Sequence, residues 1–159
     1  MMKTEIDKLS GLFFQIIRLH YQRNQMLLDR VGMYPGQPPL LIALSWHDGQ
    51  SQKELATKLH IKAATLTVML RRMEKGGIIE RRQDADDQRV SRVYLTDKGK
   101  EVCFEMQKVM RTLREETFQH FSQVDREELQ RLFTQMRDNL AEATGKNPYC
   151  PWDEIDGQE

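Results

Sequence analysis

The chain has few cysteines, no long apolar run and no net charge, and each shortage removes a class of protein. Only Cys103 and Cys150 occur among 159 residues. That is no disulfide framework, and it agrees with a reducing compartment. A chain of this length suits one domain, with a core large enough to fold without covalent staples. The longest clean apolar run is Leu40 to Leu44, far short of the roughly 20 residues that span a bilayer. The amino-terminal Met-Met-Lys-Thr-Glu-Ile-Asp lacks the apolar stretch of a secretory signal. The expected location is therefore the cytoplasm, with no membrane partner. His20, His47, His60 and His120 are scattered, without the paired spacing of metal ligands. No nucleophile elbow, phosphate loop or dinucleotide fingerprint is present either. The expectation is a protein with no metal, no cofactor and no catalytic residue.

Zero net charge at first speaks against a nucleic-acid partner, but the charges are unevenly spread. Residues 51 to 96 hold ten Lys and Arg against six acids, a net of +4, so the rest of the chain carries −4. A basic middle between acidic flanks is a directional field.

Hydrophobic periodicity supplies the elements. Ile6, Leu9, Phe13, Ile16, Ile17 and His20 follow helical spacing and predict a long helix over residues 5 to 30, with Leu12, Leu19 and Met26 widening its stripe. Pro38 or Pro39 opens a second helix through Leu40, Leu41, Ile42, Leu44 and Trp46, with Asp48-Gly49 as its end signal. Ser51 followed by Glu54 is a capping box for a short third helix. After a turn at His60-Ile61, Ala63 to Lys75 forms a fourth, with Leu66, Met69, Leu70 and Met73 inward and Gly76-Gly77 at its end. Helix, short turn, helix is a helix-turn-helix skeleton. Strands at Ile78–Arg82 and Val90–Leu95 flank a polar loop, which makes a hairpin. Thr96 caps a helix running to about Phe121, and Asp125 with Glu128 reads as a capping box for a last amphipathic helix ending at Gly145. The acidic residues 146–159 are expected to be disordered or to dock on a partner subunit.

Asp87-Gln88-Arg89, five residues, then Leu95-Thr96-Asp97-Lys98-Gly99 resembles the D-x-R-x5-L-T-x-x-G signature of the MarR family. Gln52 to Ala56 and Arg72 to Ile79 resemble that family's helix-turn-helix. The resemblance implies a mainly α fold with a small β-hairpin wing. Residues 34–96 would form a winged helix-turn-helix DNA-binding domain, and residues 1–33 and 97–145 a helical dimerisation region. It implies a homodimeric transcriptional regulator, expected to be a repressor, that reads palindromic double-stranded DNA.

The resemblance also assigns roles. Lys62, Ala63, Ala64, Thr65, Thr67 and Arg71 fall where a recognition helix meets base edges, while Lys53, Lys58, Arg72 and Lys75 suit phosphates. Arg89 matches the wing arginine that enters the minor groove, Asp87 orients the wing, Leu95 anchors it, Thr96 caps and Gly99 permits close packing. Three positions depart from the family pattern: Val68 stands where relatives often carry arginine, His60 where glycine is common, and Ala63 where proline is frequent. An aromatic or phenolic acid is the expected effector, in a crevice lined by Phe13, Ile17, His20, Tyr34 and Trp46; the competing reading is that these five only pack the core. Two alternatives remain at this level. One is a redox- or metal-responsive regulator of the same fold, and the other is a winged helix used only for protein contacts.

Overall fold

The computed structural model describes residues 4–34 and 36–145. The chain order is α1 (Glu5–Arg30), α2 (Gln37–Trp46), β1 (Gln50–Ser51), α3 (Gln52–Lys58), α4 (Ala63–Lys75), β2 (Ile79–Gln83), β3 (Ser91–Leu95), α5 (Asp97–Phe118) and α6 (Gln123–Thr144). The mainly helical fold with a small wing is as the sequence predicts.

The core gathers around α2. Leu40, Leu41, Ile42, Ala43 and Leu44 are all buried, so this helix is covered on every side. It packs on α5 and on β3, and α5 also packs on α1; Cys103, Met106, Val109, Met110 and Leu113 are the buried apolar side chains of α5. Arg23 of α1 adds a bidentate ion pair to Glu116 of α5, with both contacts at 2.6 Å. From α4, Leu66, Leu70 and Met73 enter the same core. Each buried side chain of that size contributes about 1.5–3 kcal/mol.

The antiparallel sheet has the order β1-β3-β2, with Gln50 opposite Val93 and Arg81 also opposite Val93 on the other edge. Two-residue β1 has no sequence signal. It exists because Gly49, at φ +76°, turns the chain so that its N–H donates to the Val93 carbonyl at 2.9 Å. The turn between α3 and α4 contains His60 at φ +51°, a left-handed position. That is why the resemblance favours glycine there; histidine is among the side chains that tolerate the region.

Two boundaries differ from the sequence reading. α5 stops at Phe118, where Gln119 becomes extended and His120 takes φ +66°. Its 22 residues span roughly 33 Å at 1.5 Å per residue. The cap of α6 is Ser122 rather than Asp125: Ser122 Oγ accepts the Asp125 N–H at 3.2 Å, and Asp125 accepts the Ser122 N–H at 2.9 Å. Asp125 is thus the acidic member of its box, and Glu128 instead accepts from Arg131.

Candidate nucleic-acid interface

Lys62 is the cap residue of α4 but offers no side-chain hydrogen bond, so the first-turn amides have no side-chain partner. Such amides favour an anion. Ala63, Ala64 and Thr65 are exposed in that turn, and Thr67 is half-buried a turn later. Arg71, Arg72 and Lys75 follow, also exposed. The Arg72 guanidinium lies over the Tyr34 ring at 4.6 Å, so it leans toward the start of α2. Lys53 is exposed and Lys58 half-buried on α3, beside the same surface. Together with Val90 and Arg92 of the wing, they line a groove of about 810 Å³ between α3 and the hairpin.

The wing is ordered by carboxylates. Asp84 accepts the N–H groups of Asp86 at 2.9 Å and Asp87 at 3.0 Å, and also the Arg92 guanidinium. Arg92 reaches further, to the Gly49 carbonyl at 3.0 Å and to within 3.9 Å of Glu54. The Arg92 hydrogen bond, then the two backbone N–H groups, hold the Asp84 carboxyl down at a pKa of about 2. Asp87 accepts the Arg89 N–H at 2.9 Å, which shapes the backbone that carries the exposed Arg89 side chain. Sequence reasoning named Asp87 and overlooked Asp84. The signal was the pairing of Asp84 with Arg92 across the hairpin, hidden among the acidic and amide residues of 83–88.

Ion pairing sorts the cations. Arg81 pairs with Glu74, Arg82 with Glu80 and Arg92 with Asp84, while Glu54 serves the Ser51 cap of α3 at 2.7 Å. The Arg81–Glu74 pair ties the hairpin to α4, and the others close within the hairpin or the α3 cap. Lys53, Lys62, Arg71, Lys75 and Arg89, which pair with none of these acids, point the lobe's surplus positive charge outward.

The hairpin base is tightly joined to α5. Thr96 Oγ1 donates to the Gly77 carbonyl at 2.6 Å and accepts the Gly99 N–H at 3.0 Å. Lys98 Nζ donates to Gly76 at 2.7 Å. A Cβ on Gly99 would collide with the Ile78 carbonyl oxygen, so the close-packing role expected of this glycine is met. Leu95 is buried and its N–H donates to Asp48 at 2.9 Å.

The five crevice candidates do not come together. Phe13 is half-buried, and Ile17 and His20 are exposed about the middle of α1. Trp46 packs against the core. Tyr34 alone among them lines a cavity of about 700 Å³, where the ends of α1 and α4 meet the starts of α2 and α5. Its polar wall is Arg71, Arg72, Lys75 and Lys98, cations from distant parts of the sequence. Cys103 fits a core hydrophobe: it is 6% exposed, its thiol lies 3.9 Å from the Leu41 carbonyl, and burial, with the nearby Asp48 charge, pushes its pKa up to about 11. That thiol is unsuited to redox sensing; Cys150 and the acidic segment 146–159 lie outside the described residues. Among the described residues no group of His, Cys, Asp and Glu is arranged to hold a metal ion, and no helix is long and apolar enough to cross a membrane.

Comparison with known proteins agrees with this geometry. The family model described as "MarR family" matches residues 34–91, which is the winged lobe. The HTH-type transcriptional regulator TtmR of Methylorubrum extorquens (strain PA1) is 39% identical over 67 residues, covering 42% of this chain and 34% of that protein. This chain thus spans about a third of the length of TtmR. The uncharacterized HTH-type transcriptional regulator YwoH of Bacillus subtilis (strain 168) is 30% identical over 119 residues, covering 75% of this chain and 86% of YwoH. The crystal structure of MarR superposes with a TM-score of 0.70 at 27% identity, covering 91% of this chain and 98% of that one. A lobe with an outward cationic helix, a carboxylate-ordered wing and relatives that are transcriptional regulators rather than enzymes leads to one assignment: the chain belongs to the MarR family of winged helix DNA-binding transcriptional regulators.

Proposed function

We propose that the chain works as a homodimer that represses transcription by binding a palindromic operator, and that a small aromatic anion releases it. The observation that carries the reading is the contrast between the packed lobe and the bare helices beside it. No residue of α6 is buried, yet Phe121, Val124, Leu132, Phe133, Met136 and Leu140 are exposed apolar side chains along or beside it. Ile6, Leu9, Leu12, Ile16 and Leu19 are exposed on α1. Contiguous apolar surface on that scale favours a partner surface, and a second copy of the same helices matches it. Two lobes joined this way would present two α4 helices to half-sites about one helical turn apart. Occupying both half-sites covers the duplex against other proteins, which makes repression the default outcome. Lys62, Ala63, Ala64, Thr65, Thr67 and Arg71 would meet the major groove; Lys53, Lys58, Arg72 and Lys75 the phosphates; Arg89 the minor groove. The site of action is the cytoplasm.

The effector belongs in the Tyr34 cavity rather than along α1. Its volume lies within the range of about 300–1,000 Å³ usual for small-molecule sites. Four cations and an aromatic ring lining one cavity suit an aromatic carboxylate or phenolate. Since three of those cations ride on α4, a bound anion can bias the helix's placement and so the affinity for DNA. Selection of bound duplexes from a random pool, followed by titration over a range of salt, tests the reading. The expected result is a palindromic site whose affinity falls steeply with salt. Affinity indifferent to salt would leave a protein-contact role as the better account.

A further inference from the structure

In α4 each residue turns about 100° around the axis. Opposite the buried Leu66, Leu70 and Met73, the outward stripe is therefore Ala64, Val68, Arg71 and Lys75. This stripe changes character halfway. Its carboxyl-terminal half is cationic, and its amino-terminal half presents only methyl groups. Val68 is 59% exposed. It gains little from burial there, and a β-branched residue also has a mediocre helix propensity.

The chemistry of the neighbouring positions sharpens the contrast. Between Ala63 and Leu70 the sequence has no Arg, Lys, Asn or Gln. Those are the side chains that make bidentate hydrogen bonds to guanine or adenine in the major groove. Thr67 has its hydroxyl hydrogen committed to its own helix, since Oγ1 donates to the Ala63 carbonyl at 2.8 Å. The amino-terminal half of a recognition helix is the part that reaches base edges. On this helix the outward stripe of that half, Ala64 and Val68, offers apolar contact, and directional hydrogen bonding is left to the exposed Thr65 hydroxyl and to Lys62 at the cap. In the major groove the base-edge group that matches an apolar side chain is the 5-methyl of thymine.

We propose that Ala64 and Val68 read thymine methyl groups in each operator half-site, with Arg71 and Lys75 adding affinity a turn further along. This inference rests on the DNA-binding reading above, which it makes specific: the preferred half-site has thymines beneath the first two turns of α4, recognised by methyl contact.

The test uses the full-length protein and two duplex pools, one made with thymine and one with deoxyuridine, which differs only by the missing methyl. Sites selected from the thymine pool are then rebuilt with single deoxyuridines. Each contacted thymine should cost about 3- to 5-fold in affinity, as expected for losing one buried methyl-sized group. Symmetric replacement in both half-sites should cost about 10- to 20-fold on the same basis. Replacing a contacted thymine pair by 5-methylcytosine opposite guanine should retain part of the affinity. Val68→Ala, at an exposed position that leaves the core intact, should flatten the deoxyuridine penalty at one position while thermal unfolding stays unchanged. Selected sites that bind equally well with deoxyuridine throughout would overturn the proposal, as would a Val68→Ala protein with the full penalty. Salt-dependent, selective binding that ignores the methyl group sinks this inference alone. Absence of salt-dependent duplex binding sinks the regulator reading beneath it.

Discussion

The winged lobe and the helical arm are built on opposite economies of burial. In the lobe, α2 is enclosed, α4 buries one stripe, and the hairpin is fastened by ion pairs and carboxylate-to-amide hydrogen bonds. In the arm, α6 is a 22-residue helix with no buried residue, and the amino-terminal half of α1 exposes most of its apolar side chains. Both regions hold amphipathic helices, α4 in the lobe and α1 and α6 in the arm, and those arm helices are the better capped, each with a capping box. What separates them is whether the apolar face finds its complement within the same chain. Amphipathicity shows that a face will be covered, and only the fold shows whether the cover is internal.

Four substitutions sharpen that contrast or break it. Leu70→Ala, deep in the lobe, should cost about 2–5 kcal/mol through a cavity, read as a fall in the thermal midpoint without loss of the dimer's sedimentation behaviour at low temperature. Leu132→Asp, on the arm, should do the reverse. Thermal stability of the lobe should persist while the protein sediments as a monomer and operator affinity drops by about 100-fold or more, since bivalent engagement is lost. A stable, tightly binding Leu132→Asp dimer would refute the division of labour. Arg89→Ala should lower operator affinity by about 10-fold, in line with loss of one charge-assisted contact, with sedimentation unaltered. Asp84→Asn should have the smallest effect, about 3-fold, because it frees the wing backbone without removing a contact group; hydroxyl-radical footprinting should show weakened minor-groove protection beside unchanged major-groove protection. The pH dependence of that carboxylate has a definite sign. Its folded pKa of about 2 lies below the ordinary value, so the wing contact is fully present above roughly pH 4 and lost as pH falls toward the folded value. From pH 5 to 8 the wing should be indifferent to pH, which the same footprint at both limits checks.

Local rules made much of this architecture legible. The Ser51–Glu54 box and the Thr96 cap stand where side-chain chemistry placed them. The 125–128 box failed because two boxes overlap: Asp125 lies three residues after Ser122 and three before Glu128. The choice is made by the His120 turn, which leaves the chain extended at Ser122. β1 was invisible, since a two-residue strand has no periodicity and depends on Gly49 meeting Val93 in space. The residues proposed to face DNA could be named from the sequence because they lie along one helix and one hairpin. The Tyr34 cavity could not, because its cations come from α4 and α5 while its aromatic comes from the α1–α2 link. Phe13, Ile17 and His20 on α1 do not line that cavity, and the exposed apolar stripe beside them is the surface proposed above for a second copy.

The joint at Thr96 and Gly99 has a wider meaning. Because Gly99 sits against Ile78 and Thr96 clasps Gly77, α5 cannot swivel independently of the hairpin and α4. On the proposed homodimer reading, the protein would store vocabulary and metre in different segments: the favoured bases on α4, and the distance between the two halves of an operator in the length of α5. One residue inserted into α5 would rotate everything beyond it by about 100° and advance it by about 1.5 Å, changing the metre without touching a word.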